Sequence, residues 1–450
     1  TILKDKNMKL FLVCALMLIS FAGALNASSD SLTTADKTAR NFMQELGEEK
    51  FETAYSYFDN AVKAQFSIEQ LKGLWEMLKT QHGAFENISE ISGKDYAGNR
   101  LVFVTVSFKN SFVTFRIFLN TEGKAAGFFI ENTSPKKEYQ YPAYSDTSLF
   151  FEKEAVFGEE GFKLPAKMTI PKGKEEYPVV ILVHGSGPHD MDETIGPNKP
   201  FADIAAGLAS KGIAVFRYEK RTNAYPEKSG KDITIDNETV NDAVSAVQFI
   251  NDREEIKQSK IFLLGHSLGG YAAPRIASKT DMLEGIILMG ANLTPLEDLI
   301  VIQSEYLAKL DDDYTDEERQ KIELLKKQAE SVKTGSLSSS TPIDSLPLGI
   351  PSSYWWSLRN YKPAETAVKL NIPILILQAE NDYQVSTAEF EKWKKELKGK
   401  ENVEYILLPG LHHLFMESPA DSGPDEYFKE GHVSPKLIDT ASKWIFERSE

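Results

Sequence analysis

A short apolar run, Ile261-Phe262-Leu263-Leu264, leads straight into Gly265-His266-Ser267-Leu268-Gly269, and Gly270 to Ser278 can continue as a helix. No other feature restricts the fold as tightly. A strand must end, the chain must turn sharply, and a helix must begin with Ser267 at the apex. The two glycines leave room where side chains would collide with neighbouring backbone. A short, wholly apolar strand of this kind fits a parallel sheet buried on both faces. A serine hydroxyl is a poor nucleophile at its own pKa, so a reactive serine at that apex needs a base beside it. Pro274 lies beyond the first turn of the expected helix, where it predicts a kink.

The surrounding sequence repeats the strand-helix alternation. Val179 to Val183, Ile213 to Tyr218, Ile261 to Leu264, Gly285 to Met289, Ile374 to Leu377 and Val403 to Leu408 read as strands. Phe201 to Ser210, Glu238 to Ile250 and Thr387 to Leu397 read as helices between them. The pattern predicts an α/β domain over residues 151–450, a mostly parallel sheet with helices on both faces. Residues 295–365 break the rhythm. Leu296 to Lys333 reads as one long charged helix, followed by a Ser/Thr-rich stretch and Tyr354-Trp355-Trp356. An insertion there, just above the serine, predicts a cap whose aromatics line a small closed pocket.

Residues 28–130 read as a separate small α+β domain. Ser31 to Leu46, Lys50 to Phe58 and Ile68 to Thr80 have helical spacing. Leu101 to Phe108 and Phe112 to Leu119 alternate as strands around Lys109-Asn110, and Ala125 to Ile130 closes the set. Residues 131–150 are polar, contain Pro135 and Pro142, and read as a linker.

With 450 residues the chain has room for two or three domains, and 42% hydrophobic residues mark it as globular. Its net charge of −15 argues against non-specific binding to nucleic acid or anionic membranes. Residues 1–27 read as a signal peptide. Lys4, Lys6 and Lys9 precede an apolar run from Leu10 to Ala24, and Ala22-Gly23-Ala24 or Ala27 offers the cleavage site. The expectation is a secreted or periplasmic protein without membrane insertion after cleavage. The single cysteine, Cys14, lies inside that run. The mature chain is therefore expected to use neither disulfides nor a thiol nucleophile.

A serine nucleophile needs a base and an orienting acid. Only His412, His413 and His432 follow Ser267. Strand Ile374 to Leu377 runs into Gln378-Ala379-Glu380-Asn381-Asp382. Asp382 fits the orienting carboxylate, with Glu380 as the nearby alternative. Strand Val403 to Leu408 ends in Pro409-Gly410-Leu411-His412-His413, and spacing alone allows either histidine as base. An oxyanion needs N–H groups aimed at it. Leu268, following the nucleophile, supplies one, and Ser186 or Gly187 in the loop after Val183 supplies the other. His184 reads as a brace for that loop. His189, Asp190, Asp192 and Glu193 are crowded, but their spacing matches no zinc or calcium loop, so no metal is expected. Arg217, Lys220 and Arg221 follow a strand end, facing the site or joining an ion-pair network.

With these residues in view, residues 150–445 resemble the two-domain bacterial α/β-hydrolase serine esterases, related to dienelactone hydrolases and acyl-thioester hydrolases. The segments that carry this are His184-Gly185-Ser186-Gly187-Pro188 continuing from Asp192 to Phe201, Arg217-Tyr218-Glu219-Lys220-Arg221-Thr222, the stretch around Ser267 with Ala273-Pro274-Arg275-Ile276-Ala277, and Asp382-Tyr383-Gln384-Val385. The resemblance implies an α/β-hydrolase fold and, because the family's base directly precedes Leu-Phe, His413 with His412 in the place usually held by Asn. Dienelactone hydrolases proper use cysteine, which sets their chemistry aside. The N-terminal region resembles a cone-like domain of unknown function often found ahead of hydrolase domains, on Phe51-Glu52-Thr53-Ala54, Leu71-Lys72-Gly73-Leu74-Trp75 and Gly127-Phe128-Phe129. The combined expectation is a cofactor-free esterase acting on short- to medium-chain small-molecule esters. A thioesterase or peptidase with the same triad and an inactive binding protein are the alternatives, and the oligomeric state stays open.

Overall fold

The computed structural model describes residues 33–449 except 65, 97–98, 137–138, 174–175, 226–227, 229, 231, 254–259, 311–313, 335–336, 339 and 422. The expected signal peptide, residues 1–27, lies outside the described residues. The described chain divides into two compact units at residue 140.

In the first unit, Thr33 and Ser67 start helices Thr34–Gly47 and Ile68–His82 with reciprocal capping boxes through Asp36 and Gln70. Each box satisfies two backbone N–H groups that the helix leaves open. Four antiparallel strands follow in simple meander order, β1 (Phe85–Tyr96), β2 (Asn99–Phe108), β3 (Ser111–Leu119) and β4 (Ala125–Pro135). One sheet face carries Val102, Val104, Val106, Phe115 and Ile117, which pack on Phe42, Leu46, Leu71 and Trp75. Such burial stabilises by ~1.5–3 kcal/mol per large side chain.

The second unit holds one eight-stranded sheet. Its strands are β5 (Phe150–Phe157), β6 (Leu164–Pro171), β7 (Val179–Val183), β8 (Ala214–Tyr218), β9 (Ile261–His266), β10 (Leu283–Met289), β11 (Ile374–Ala379) and β12 (Val403–Leu408). Their spatial order is β12-β11-β10-β9-β7-β8-β6-β5. The six from β12 to β8 are parallel, and β6 and β5 add an antiparallel edge. Successive residues of β7 serve opposite faces. Val179, Ile181 and Val183 join helix Asn241–Asn251 through Ala246 and Val247, whereas Val180 and Leu182 join helices Pro200–Ser210 and Pro435–Phe446 through Phe201, Ile204 and Leu437. Full burial on both faces explains the unbroken apolar runs.

Several sequence expectations change. The 131–150 linker is shorter, because β4 continues to Pro135 and β5 begins at Phe150. The long helix from Leu296 is two, Leu296–Ala308 and Asp316–Lys333, because Thr315 and Glu318 form a capping box that starts a new helix. The helix Leu268–Ala277 runs unbroken through Pro274, packed against β9 and β10. Among the described residues, no helix is long and apolar enough to cross a membrane.

Candidate active site

The parallel strands β7, β9, β11 and β12 end at the same edge of the sheet, and the loops that follow them meet there. Ser267 leaves β9 with φ 51° and ψ −113°, and the helix begins at Leu268. A non-glycine residue holds such a conformation only where its surroundings impose it. Here the Ser267 N–H donates to the Met289 carbonyl at 2.8 Å. A Cβ on Gly265 would sit 2.3 Å from the Gly269 backbone, and one on Gly269 would sit 2.2 Å from the Val183 carbonyl oxygen. Both glycines are therefore obligatory for the turn.

Asp382 follows β11 and is 3% exposed. Its Oδ1 accepts the N–H groups of Gln384 and Val385, both at 2.9 Å. Its Oδ2 accepts Nδ1–H of His413 at 2.6 Å. With the proton held on Nδ1, Nε2 of His413 keeps its lone pair. Gly290 lies beneath this pair, where a Cβ would come 3.5 Å from both Asp382 Oδ2 and His413 Nδ1. Ser267 and His413 line one cavity of 190 Å³.

The alternatives take other places. His412 Nδ1 accepts the Leu414 N–H at 3.0 Å, its ring meets Tyr427 edge-on, and burial pushes its pKa down to about 4. Glu380 Oε2 accepts the Gly410 N–H at 3.0 Å, bracing the loop that carries both histidines. His432 pairs with Asp203. Ser186 and Leu268 both line the cavity, and Leu268, as the first helical residue, has no intrahelical acceptor for its N–H.

The crowded loop after β7 disperses into structural contacts. His184 Nε2 donates to the Asp190 carbonyl at 3.0 Å, and burial lowers its pKa to about 3. Asp190 accepts from the N–H groups of Asp192 and Thr194. Asp192 pairs with Arg217, which also holds Glu152 and Thr169. No metal-binding group of side chains occurs among the described residues. Arg221 pairs with Asp242. Lys220 is 2% exposed, donates to the Gly185 carbonyl at 2.7 Å and pairs with Glu238 at 2.7 Å.

The cap aromatics do not line the cavity. Trp355 is fully buried and donates Nε1–H to the Ile350 carbonyl at 3.0 Å, Tyr354 donates its hydroxyl to Glu238 at 2.6 Å, and Trp356 is 52% exposed. The helical turn around Ser352–Arg359 directs Tyr354 and Trp355 into the core. Leu296, Leu299, Ile300, Leu348, Ile350 and Leu358 supply the apolar wall instead. Sequence reasoning also passed over Glu193 and His266. Both are buried in the site, and their only signal was position, within the crowded loop and beside the serine.

The family model of serine aminopeptidase, S33, matches residues 174–419, more than half of the chain. The chain belongs to this hydrolase family. A second model, a family of unknown function (DUF3887), matches residues 39–128. Esterase EstD of Thermotoga maritima is 38% identical over 411 residues, 91% of this chain and 95% of that protein. Among solved structures, Est1E from Butyrivibrio proteoclasticus shares 16% identity, covers 66% of this chain and 98% of its own, and superposes with a TM-score of 0.43. A dienelactone hydrolase from Anabaena variabilis shares 16% identity over 67% of this chain and 100% of its own, with a TM-score of 0.39. The fold is that of the α/β-hydrolases, with a cap between β10 and β11 and a small α+β unit ahead of it.

Proposed function

We propose that this chain is a serine esterase that cleaves short- to medium-chain carboxylic esters. The observation that carries this reading is the 2.6 Å bond from Asp382 to His413, which lines one cavity with Ser267 at its strained turn. Ser267 Oγ attacks the ester carbonyl while His413 Nε2 takes its proton. The N–H groups of Leu268 and Ser186 hold the resulting oxyanion. Collapse expels the alcohol, which collects the proton from His413. Water then attacks the acyl-enzyme by the same route and releases the acid. The apolar wall around a cavity of 190 Å³ favours a modest acyl group. The similarity to a protein named esterase supports the ester as the reacting bond.

A peptidase reading draws on the family description. An aminopeptidase needs an acid to hold the substrate's ammonium group. Glu193 is the one carboxylate lining the cavity among the described residues, and it is already bound to His266 and the Gly185 N–H. That favours the ester. Export rests on the pattern of residues 1–27, and mass spectrometry of the protein from its host tests it.

The test compares hydrolysis of an acyl ester series, thioesters and peptide amides by wild type and variants. Ser267→Ala and His413→Ala should each lose at least about 10²-fold in kcat with the fold intact. His412→Ala should remain far more active. Near wild-type turnover by Ser267→Ala rejects the triad, and preferential cleavage of peptide amides rejects the esterase.

A further inference from the structure

Both ring nitrogens of His266 face acceptors. Nδ1 lies 2.9 Å from Glu193 Oε2, and Nε2 lies 3.0 Å from the carbonyl oxygen of His413. Each contact is satisfied only if each nitrogen donates, which makes His266 an imidazolium. Glu193, fully buried at φ 52°, uses its other oxygen to accept the Gly185 N–H at 2.7 Å. Gly185 directly precedes Ser186. A Cβ on Gly185 would lie 3.3 Å from Glu193 Oε1, 3.3 Å from Ser267 Cβ and 3.6 Å from His266 Nδ1. One buried pair thus touches the loop of the base, the loop of the oxyanion donor and the turn of the nucleophile.

We propose that Glu193 and His266 are positioning residues that act as a single charged clamp, locking the His413 loop and the Gly185–Ser186 loop in register on either side of Ser267. This rests on the triad reading above and extends it. Burial opposes charge on both members, yet the adjacent imidazole holds the Glu193 carboxyl down at about 2, and Glu193 raises His266. The groups facing the pair are His184, His189 and Lys220 on the Glu193 side, and Asp382 and His413 on the other. The His266 and His413 rings stand 4.7 Å apart.

The experiment uses the full chain and three variants, Glu193→Gln, His266→Gln and Ser267→Ala. Misplaced loops should cost kcat about 10- to 100-fold with KM little changed. A kcat loss at unchanged KM in variants that melt like wild type separates misplaced loops from a general structural defect. Nitrogen NMR of the unmutated protein should show both His266 ring nitrogens protonated at neutral pH, a reading that survives if either variant misfolds. A singly protonated His266, or folded variants with wild-type kcat, overturns the clamp. An active Ser267→Ala overturns the triad itself, whereas an inert Ser267→Ala beside fully active clamp variants overturns only the clamp.

Discussion

Ser267 is both the proposed nucleophile and a strained residue. Its φ of 51° with ψ −113° is a region that glycine enters freely and a residue with a Cβ does not. Strain of this kind costs about 1–3 kcal/mol and persists because the surroundings over-determine it. Ser267→Gly should therefore be inactive yet more stable than wild type, while Ser267→Ala keeps the strain. Thermal melts of the two variants check this, and a Gly variant no more stable than the Ala variant contradicts it. The motif's sharp turn could be read in the sequence because Gly265, Gly269 and the serine carry it locally. The partnership of His266 could not. His266 occupies a variable place in the motif, and the residue that charges it, Glu193, lies 73 positions away.

At the level of elements, the buried parallel strands and the alternating strands β2 and β3 were legible, and the edge strands β1 and β5 were not. β7, β9 and β11 are apolar on both faces, whereas β5 reads Phe-Phe-Glu-Lys-Glu-Ala-Val-Phe and β1 carries few apolar residues. Their pairing is set by neighbours, which a single sequence does not display. The cap failed in another way. Its existence was readable as an insertion, but which face of Ser352–Arg359 turns inward depends on what it packs against. Trp355 fills the core behind Ile350, so Trp355→Ala should cost about 3–5 kcal/mol without changing acyl preference. Leu299→Ala, which shortens a side chain on the cavity wall, should instead shift the preferred ester toward longer chains. Melting curves and an ester series with both variants separate these outcomes. A Trp355→Ala enzyme with longer-chain preference would restore the aromatic lining.

Across the whole molecule, buried histidines set how the catalytic unit responds to pH. Burial lowers the pKa of His184 to about 3 and of His412 to about 4, and lowers that of His189. Unfolding lets each return toward about 6.5, so below that value the unfolded chain binds more protons and stability falls as pH drops. Glu193, held at about 2, works the same way, its contribution fading as pH falls below the ordinary carboxylate range. His266 has the opposite sign, because its raised pKa makes it stabilising below about 6.5 and progressively less so as pH climbs through the folded value. Denaturant titrations across pH should therefore place maximal stability near pH ~6.5, falling on the acid side. Stability that rises steadily toward acid would refute this assignment. The order of the chain has its own effect on when the enzyme can work. His266 and His413 are 147 positions apart, and β12, the edge strand beside β11, is the last of the eight strands in sequence order. A chain emerging from the ribosome thus carries Ser267 well before the proposed base, His413, has been made. In the proposed triad, Ser267 would wait for its base until β12 and the loop after it have been made and docked.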